Sequence, residues 1–266
     1  MYKKNNLFRP LSIMAALTFG TLAISCSSQS SESSDAAASD NEEFTSIFDG
    51  KSLDGWDGDT AYWRAENGTL IGEITPDKPL KTNSFIIWNG GEPGDFELEG
   101  EFKISTDGNS GINYRSERLT DIPFALKGYQ ADIDGKINYT GQNYEERKRT
   151  TLAYRGETVT VNPLDKSITT DSSLAINRQR NAWLNREVTG SLGSSDSLKT
   201  LIKQEDWNTI RLVAKGNRLQ HYVNDVLMSD VTDEDDVLGS QKGHLGIQVH
   251  VGPPMKVEYR NLRIKQ

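Results

Sequence analysis

The stretch "FELEGEFKIST", Phe96–Thr106, alternates without a break: Phe96, Leu98, Phe102 and Ile104 on one side, Glu97, Glu99, Glu101 and Lys103 on the other. Successive side chains of an extended chain point to opposite faces, so this pattern describes a strand with one apolar and one charged face. The same writing recurs along the chain. "GINYRSE" sets Ile112 and Tyr114 against Asn113 and Arg115. "GYQADIDG" sets Tyr129, Ala131 and Ile133 against Gln130, Asp132 and Asp134. "HLGIQVHV" sets Ile247 and Val249 against Gln248 and His250. Turn signals separate the strands: Asn67-Gly68 inside "YWRAENGTLIGE", Gly216-Asn217, and Asn224-Asp225. Many strands with one apolar face each need a second sheet to cover them, which predicts an all-β sandwich of two antiparallel sheets.

The ends of the chain read differently. "MYKKNNLFRP" carries Lys3, Lys4 and Arg9 without an acid, and the apolar run after it reaches Cys26, the sole cysteine. Basic head, apolar stretch, small Ser25 and cysteine predict a lipoprotein signal over 1–25 with Cys26 as the lipid-bearing residue. An ordinary signal peptide or an uncleaved anchor are the alternatives. Residues 26–43, rich in serine and acid, have little to bury and predict a disordered tether. Residues 44–266 are long enough for one substantial core. A single cysteine excludes an intramolecular disulfide and a cysteine-ligated metal.

The chain has 30 basic and 38 acidic residues, net −8; without the three basic residues before Cys26 it has 27 and 38, net −11. This charge disfavours nucleic acid and acidic polymers as partners. No G-x-G-x-x-G opens a helix after a strand, so NAD is not expected. No E-x-D-x-x-E pattern of classical glucanases is present.

Six blocks in order, "IFDGKSLDGW", "WRAENGTLIG", "GDFELEGEFKI…GNSGINYRS", "GYQADIDG", "WNTIRLVAKGNRLQHYVND" and "GHLGIQVHVGPPMKVEYRNLRIK", span nearly all of residues 44–266. Together they resemble the 3-keto-disaccharide hydrolase family. The resemblance implies a concanavalin A-like jelly roll in a secreted or lipid-anchored protein of the bacterial cell envelope, at the outer membrane. It also implies action on a sugar whose hydroxyl at carbon 3 has been oxidised to a ketone, the oxidation being the task of a sugar 3-dehydrogenase. The fold also hosts sugar-binding modules, so a non-catalytic glycan binder stands as the alternative.

The outward parity of Glu101, Asn113, Arg115, Gln130, Asp132, Asp134, Gln248 and His250 matches polar positions that the resemblance places on the sugar-holding side of one sheet. A solvated sheet face is the plain alternative, and Asp134 beside Gly135 fits a turn residue equally well. Asn109 is a turn-capping or sugar-contacting residue. Tyr144, Glu145 and Arg155 match a pattern of a related subgroup and are candidate ligand contacts, with Arg147 and Arg149 polar enough to rim a cleft. Trp56 and Trp63 are read as core. Residues 162–204 fit either a lid or surface decoration.

A ketone at carbon 3 makes the hydrogen on carbon 2 acidic, so the group on carbon 1 can leave by β-elimination and water can add back. Such chemistry needs a base, a partner for the enolate oxygen and an acid for the leaving group. His250 is the candidate base, Asp132 its orienting group or the alternative base with His250 as acid. Arg115 is the candidate oxyanion partner and Glu101 the acid. No cofactor is demanded; a divalent ion such as calcium, held by Asp132, Glu101 and His250, is compatible with the residue types.

Overall fold

The structure is a computed structural model that describes residues 43–163, 177 and 179–266. The signal segment, Cys26 and the tether up to residue 42 lie outside the described residues, as do residues 164–176 and 178 of the stretch read as a lid or surface decoration.

The strands, in chain order, are β1 Thr45–Ser46, β2 Trp56–Asp57, β3 Trp63–Glu66, β4 Thr69–Ile74, β5 Ser84–Trp88, β6 Phe96–Ile104, β7 Asn109–Arg118, β8 Leu126–Asp134 and β9 Asn143–Glu146. They continue as β10 Thr150–Ala153, β11 Glu157–Val161, β12 Arg186–Ser191, β13 Asn208–Lys215, β14 Arg218–Val223, β15 Val226–Asp233, β16 His244–Val249 and β17 Met255–Lys265. One sheet runs β12-β11-β15-β14-β13-β6-β17-β4-β3, with β1 also on β17; the other runs β10-β9-β8-β7-β16-β5-β2. The two sheets form a concanavalin A-like jelly roll. The described neighbours pair antiparallel, save β11 and β15, which run parallel.

The alternation of "FELEGEFKIST" is realised in β6. Phe96, Leu98, Phe102 and Ile104 are buried in the core between the sheets, and the charged residues between them are half-buried. Fully burying such a side chain contributes about 1.5–3 kcal/mol. Gly100 belongs to the inward row because a Cβ there would meet Leu262 at 2.7 Å. Leu262 follows the bulge of β17, where Asn261 takes φ +54°. Asn67 and Gly68 (φ +52° and +80°) close the β3–β4 hairpin, and Asn224 and Asp225 (φ +50° and +63°) close β14–β15. Both positions need the left-handed region that asparagine, aspartate and glycine tolerate. Trp56 and Trp63 are buried in the core, and the Trp56 indole donates to the Ile47 carbonyl at 2.7 Å.

Tyr114, Tyr129, Ala131, Ile133, Ile247 and Val249 face the same core from the seven-stranded sheet. The opposite face of that sheet therefore carries Gln130, Asp132, Asp134 and Gln248. A small apolar cluster, Phe85, Ile87 and Leu126, stands apart from the main core.

Candidate functional site

On that face a cavity of about 330 Å³ is lined by Asn109, Gln130, Asp132, Gln142, Tyr144, Glu146 and His250, with Tyr139 and Asn181 at its border. Asp132 is its chemical centre. Gln142 Nε2 donates to one carboxylate oxygen at 2.5 Å and Gln130 Nε2 to the other at 2.6 Å. Burial pushes the Asp132 carboxyl up to about 7, against the two amide bonds, which pull it down; Glu146 and Asp134 add to the rise. A carboxyl so placed exchanges its proton near neutral pH.

The amides around it are themselves fixed. Gln130 Oε1 accepts from Gln248 Nε2 at 3.2 Å. The Gln130 side chain lies over Gly111, where a Cβ would come within 2.7 Å of it. Gln142 is held from the core side: its carbonyl meets His221 Nδ1 at 3.2 Å and Asp132 N–H at 3.3 Å. A carbonyl only accepts, so His221 carries its hydrogen on Nδ1, and Nε2 accepts from the Tyr114 hydroxyl at 2.8 Å. Burial lowers the His221 imidazole to about 4. It is a neutral bracket between the sheets.

His250 follows β16. Its Nδ1 meets the Val251 carbonyl at 2.6 Å, which assigns a hydrogen to Nδ1 and leaves Nε2 as the ring nitrogen that can exchange a proton. Asn83 fixes this stretch: its Oδ1 accepts the Val251 N–H at 2.9 Å and its Nδ2 donates to Glu146 at 3.0 Å. Since Val251 N–H can only donate, the amide orientation of Asn83 follows.

The structure brings together Asn109, Gln130, Asp132, Tyr144 and His250, with Gln248 behind Gln130, and separates the remaining candidates. Arg115 sits at a bulge of β7 with φ +46°, where the register slips between Tyr114 and Glu117. The bulge breaks the alternation, so its guanidinium donates to the Gly94, Gly216 and Ser240 carbonyls (2.9, 2.7 and 3.4 Å) and to Asp95 (3.0 Å). It is buried away from the cavity and braces turns of the other sheet. Glu101 does face outward, but from the ten-stranded sheet, where it pairs with Arg260 at 2.6 Å and Asn261 at 2.5 Å. Glu97 and Glu99 pair likewise with Arg211 and Arg263, as surface charges do.

Glu145 is fully buried on the core side of β9, paired with Arg149 at 2.5 Å and Lys148 at 3.1 Å. Arg149, also fully buried, joins it to Asp233 at 2.5 Å. Neither rims a cleft. Arg155 donates to the carbonyls of Ile137, Thr140 and Ser195 and braces the loop that carries Tyr139 from behind. Asn113 is buried, with Nδ2 3.4 Å from Ser116 Oγ, outside the cavity lining. Asp134 is the turn residue: its carboxylate accepts from the N–H groups of Asn138, Tyr139 and Thr140. Asp132 does not orient His250, since both its oxygens are taken by glutamines and the imidazole is held by main chain. His244 pairs with Glu92 at 3.4 Å.

Sequence reasoning missed Gln142, Glu146 and Asn83. A signal for the first two existed in "GQNYEE": the period of two that selects Tyr144 also selects Gln142 and Glu146 and rejects Glu145. Asn83 carries no local signal. The three proposed cation ligands are split, Glu101 on one sheet and Asp132 and His250 on the other. Among the described residues no group of three or more His, Cys, Asp or Glu side chains is gathered as a metal would need.

Among solved structures, a presumptive glycosyl hydrolase from Parabacteroides distasonis ATCC 8503 is 17% identical, with a TM-score of 0.51 over 84% of this chain and 93% of that one. A second one from the same organism is 14% identical, with a TM-score of 0.51 over 84% and 99%. These likenesses concern the fold. Comparison with functionally curated proteins gives no match. Residues 43–265 match the family described as the 3-keto-alpha-glucoside-1,2-lyase-like domain, a span that takes in both sheets and the whole Asp132 cavity. The chain therefore belongs to the 3-keto-disaccharide hydrolase family.

Proposed function

We propose that the Asp132 cavity holds the oxidised ring of a 3-keto-glucoside and cleaves its glycosidic bond by elimination followed by hydration. The observation that carries this reading is the buried Asp132 carboxyl, clamped by two amides and raised to about 7, in one cavity with His250, whose Nδ1 is held by main chain. Asp132 as carboxylate removes the hydrogen on carbon 2, and the electron pair moves into the carbon 3 carbonyl as an enolate. Asn109, which lines the same cavity, is the candidate hydrogen-bond donor for that oxygen, with Tyr144 beside it. Return of the electrons expels the group on carbon 1, which takes a proton from His250 in its imidazolium form. Water then adds to carbon 1 and passes its proton to the now neutral His250. Asp132, its proton exchanged with solvent, protonates carbon 2, so both groups are restored and the net change is hydrolysis. This ordering makes Asp132 the base and His250 the acid, since the carboxyl is the group tuned by its surroundings.

Among the described residues no group of three His, Cys, Asp or Glu side chains gathers at Asp132 to supply the several ligands that a divalent ion such as calcium takes. No step here is routed through one.

Heavy water tests the reaction. Release of the ketosugar with deuterium on carbon 2 is expected, and Asp132→Asn should cut turnover roughly a hundredfold or more. Absence of release from every 3-keto-glycoside tried, with tight glycan binding, would transfer the protein to the sugar binders.

We also propose that the protein is a cell-envelope lipoprotein of the outer membrane, anchored through Cys26 on an acidic tether. The basic–apolar–cysteine order supports this. A sugar 3-dehydrogenase must supply its substrate, since the ketone is the product of such an oxidation. Cys26→Ala should move the protein to the soluble fraction; retention on membranes would refute the anchor.

A further inference from the structure

The two amides that clamp Asp132 are not held alike. Both turn their nitrogen to it, because a carboxylate only accepts. The Gln130 amide is locked at its other end, where Oε1 accepts from Gln248 Nε2 at 3.2 Å. Turning Gln130 over therefore requires a second buried amide to turn with it. Gln142 carries no such lock. Its main chain is pinned, with N–H on the Tyr139 carbonyl at 3.0 Å and carbonyl on His221 at 3.2 Å, but its side-chain Oε1 accepts nothing among the described residues. The residue lines the cavity, and the last torsion of a glutamine has two broad wells half a turn apart.

We propose that Gln142 is a turning amide: it donates to Asp132 as carboxylate and accepts from Asp132 as acid, which swings its Nε2 into the cavity as a hydrogen-bond donor. The acid form carries a hydrogen that needs an acceptor in a buried place. Both oxygens face amides, so the acceptor at hand is the carbonyl of the one amide free to turn. Glu146 and Asp134 are the charged groups that face the carboxyl, and both favour the proton. His250 lines the same cavity, and His221 meets Gln142 through its main-chain carbonyl.

In the reaction proposed above, Asp132 becomes an acid at the step that puts charge on the carbon 3 oxygen. Gln142 Nε2 then enters the cavity when that oxyanion needs a donor. This last step rests on the reading of the cavity as the ketosugar site; the turn itself does not.

Side-chain amide NMR of the protein without ligand tests the turn, with Gln142→Met and Gln130→Met assigning the two signals. At about pH 9 both glutamines should show a low-field proton bonded to the carboxylate. At about pH 5 the Gln142 proton should lose that shift and exchange with water at least about tenfold faster, while the Gln130 proton keeps its shift. Asp132→Asn fixes the acid-like arrangement, since its Oδ1 accepts from Gln130 and its Nδ2 donates to a turned Gln142. Its Gln142 signal should therefore match the low-pH wild type at both pH values. Two amides that move together, or a Gln142 signal that neither pH nor Asp132→Asn changes, overturn the turn.

Kinetics test the donor. At about pH 9 Asp132 is ionised with or without the clamp, so Gln142→Met should lower kcat on a 3-keto-glucoside roughly a hundredfold there, at an unchanged melting temperature, only if a donor is lost. Wild-type kcat in that variant overturns the donor role. If the wild type turns over no 3-keto-glucoside, the proposed reaction is wrong, and the amide signals still decide the turn.

Discussion

Asn83 donates to Glu146 at 3.0 Å and so joins the start of β5 to the end of β9 across the wall of the cavity. Its other amide atom accepts the N–H of Val251, whose carbonyl holds the His250 imidazole. One buried amide thereby sets the distance between a carboxylate on one wall and the candidate acid on the other.

Asn83→Ala should lower kcat roughly tenfold to a hundredfold with little change in KM, because the acid loses its fixed position while the ring site stays intact. Steady-state kinetics together with a melting curve read this. A variant with wild-type kcat would remove Asn83 from the positioning role, and parallel loss of kcat and melting temperature would reduce it to a structural residue.

Asp132 predicts two pH effects. As the base it must be ionised, so kcat/KM should fall below about pH 7 with an apparent pKa near that value. Stability should move the opposite way. Burial raises the folded-state value from 3.8 to about 7, so between these values the folded protein holds a proton that the unfolded chain has released. The contribution is full below about pH 4 and is lost as pH rises towards 7, on the order of 4 kcal/mol in all. Asp132→Asn removes the ionisation, so it should gain melting temperature over the wild type at pH 8 and lose that advantage at pH 4. Parallel melting profiles for the two proteins across this range would contradict the buried, raised carboxyl.

Arg149 predicts stability, not turnover. Its guanidinium lies between Glu145 and Asp233 with no exposure, and the Tyr129 hydroxyl donates to Asp233 at 2.5 Å within the same cluster. Arg149→Met leaves buried Glu145 with Lys148 alone and Asp233 with no cation, only the Tyr129 hydroxyl and the Asp235 N–H, and should cost about 3–5 kcal/mol in urea unfolding. Glu145→Gln should also lower the unfolding midpoint while leaving KM alone. A raised KM at unchanged stability would restore Glu145 to the ligand site.

Period-two alternation is a local property, and what depends on it alone is legible in the chain itself. The strands, the asparagine turns at Asn67 and Asn224, the buried Trp56 and Trp63, and the outward faces of Gln130, Asp132 and Gln248 all follow from neighbours in the chain. Alternation says which residues share a face of one strand. It does not say which sheet the strand joins, so Glu101 has the right parity on the wrong sheet, opposite Thr209 and Arg260 of its partner strands. It does not survive a bulge, so Arg115 swings from the cavity to the Gly94 and Gly216 carbonyls. It also forbids two adjacent residues from sharing a face, which separates Tyr144 in the cavity from Glu145 in the core. Asn83 meets Glu146 and Val251, and Gln142 meets His221, only when segments distant in sequence come together. The sequence by itself determined a two-faced sheet sandwich and the chemistry of its polar residues; pairing between distant strands, and the bulges that interrupt it, decided which of those residues meet around Asp132.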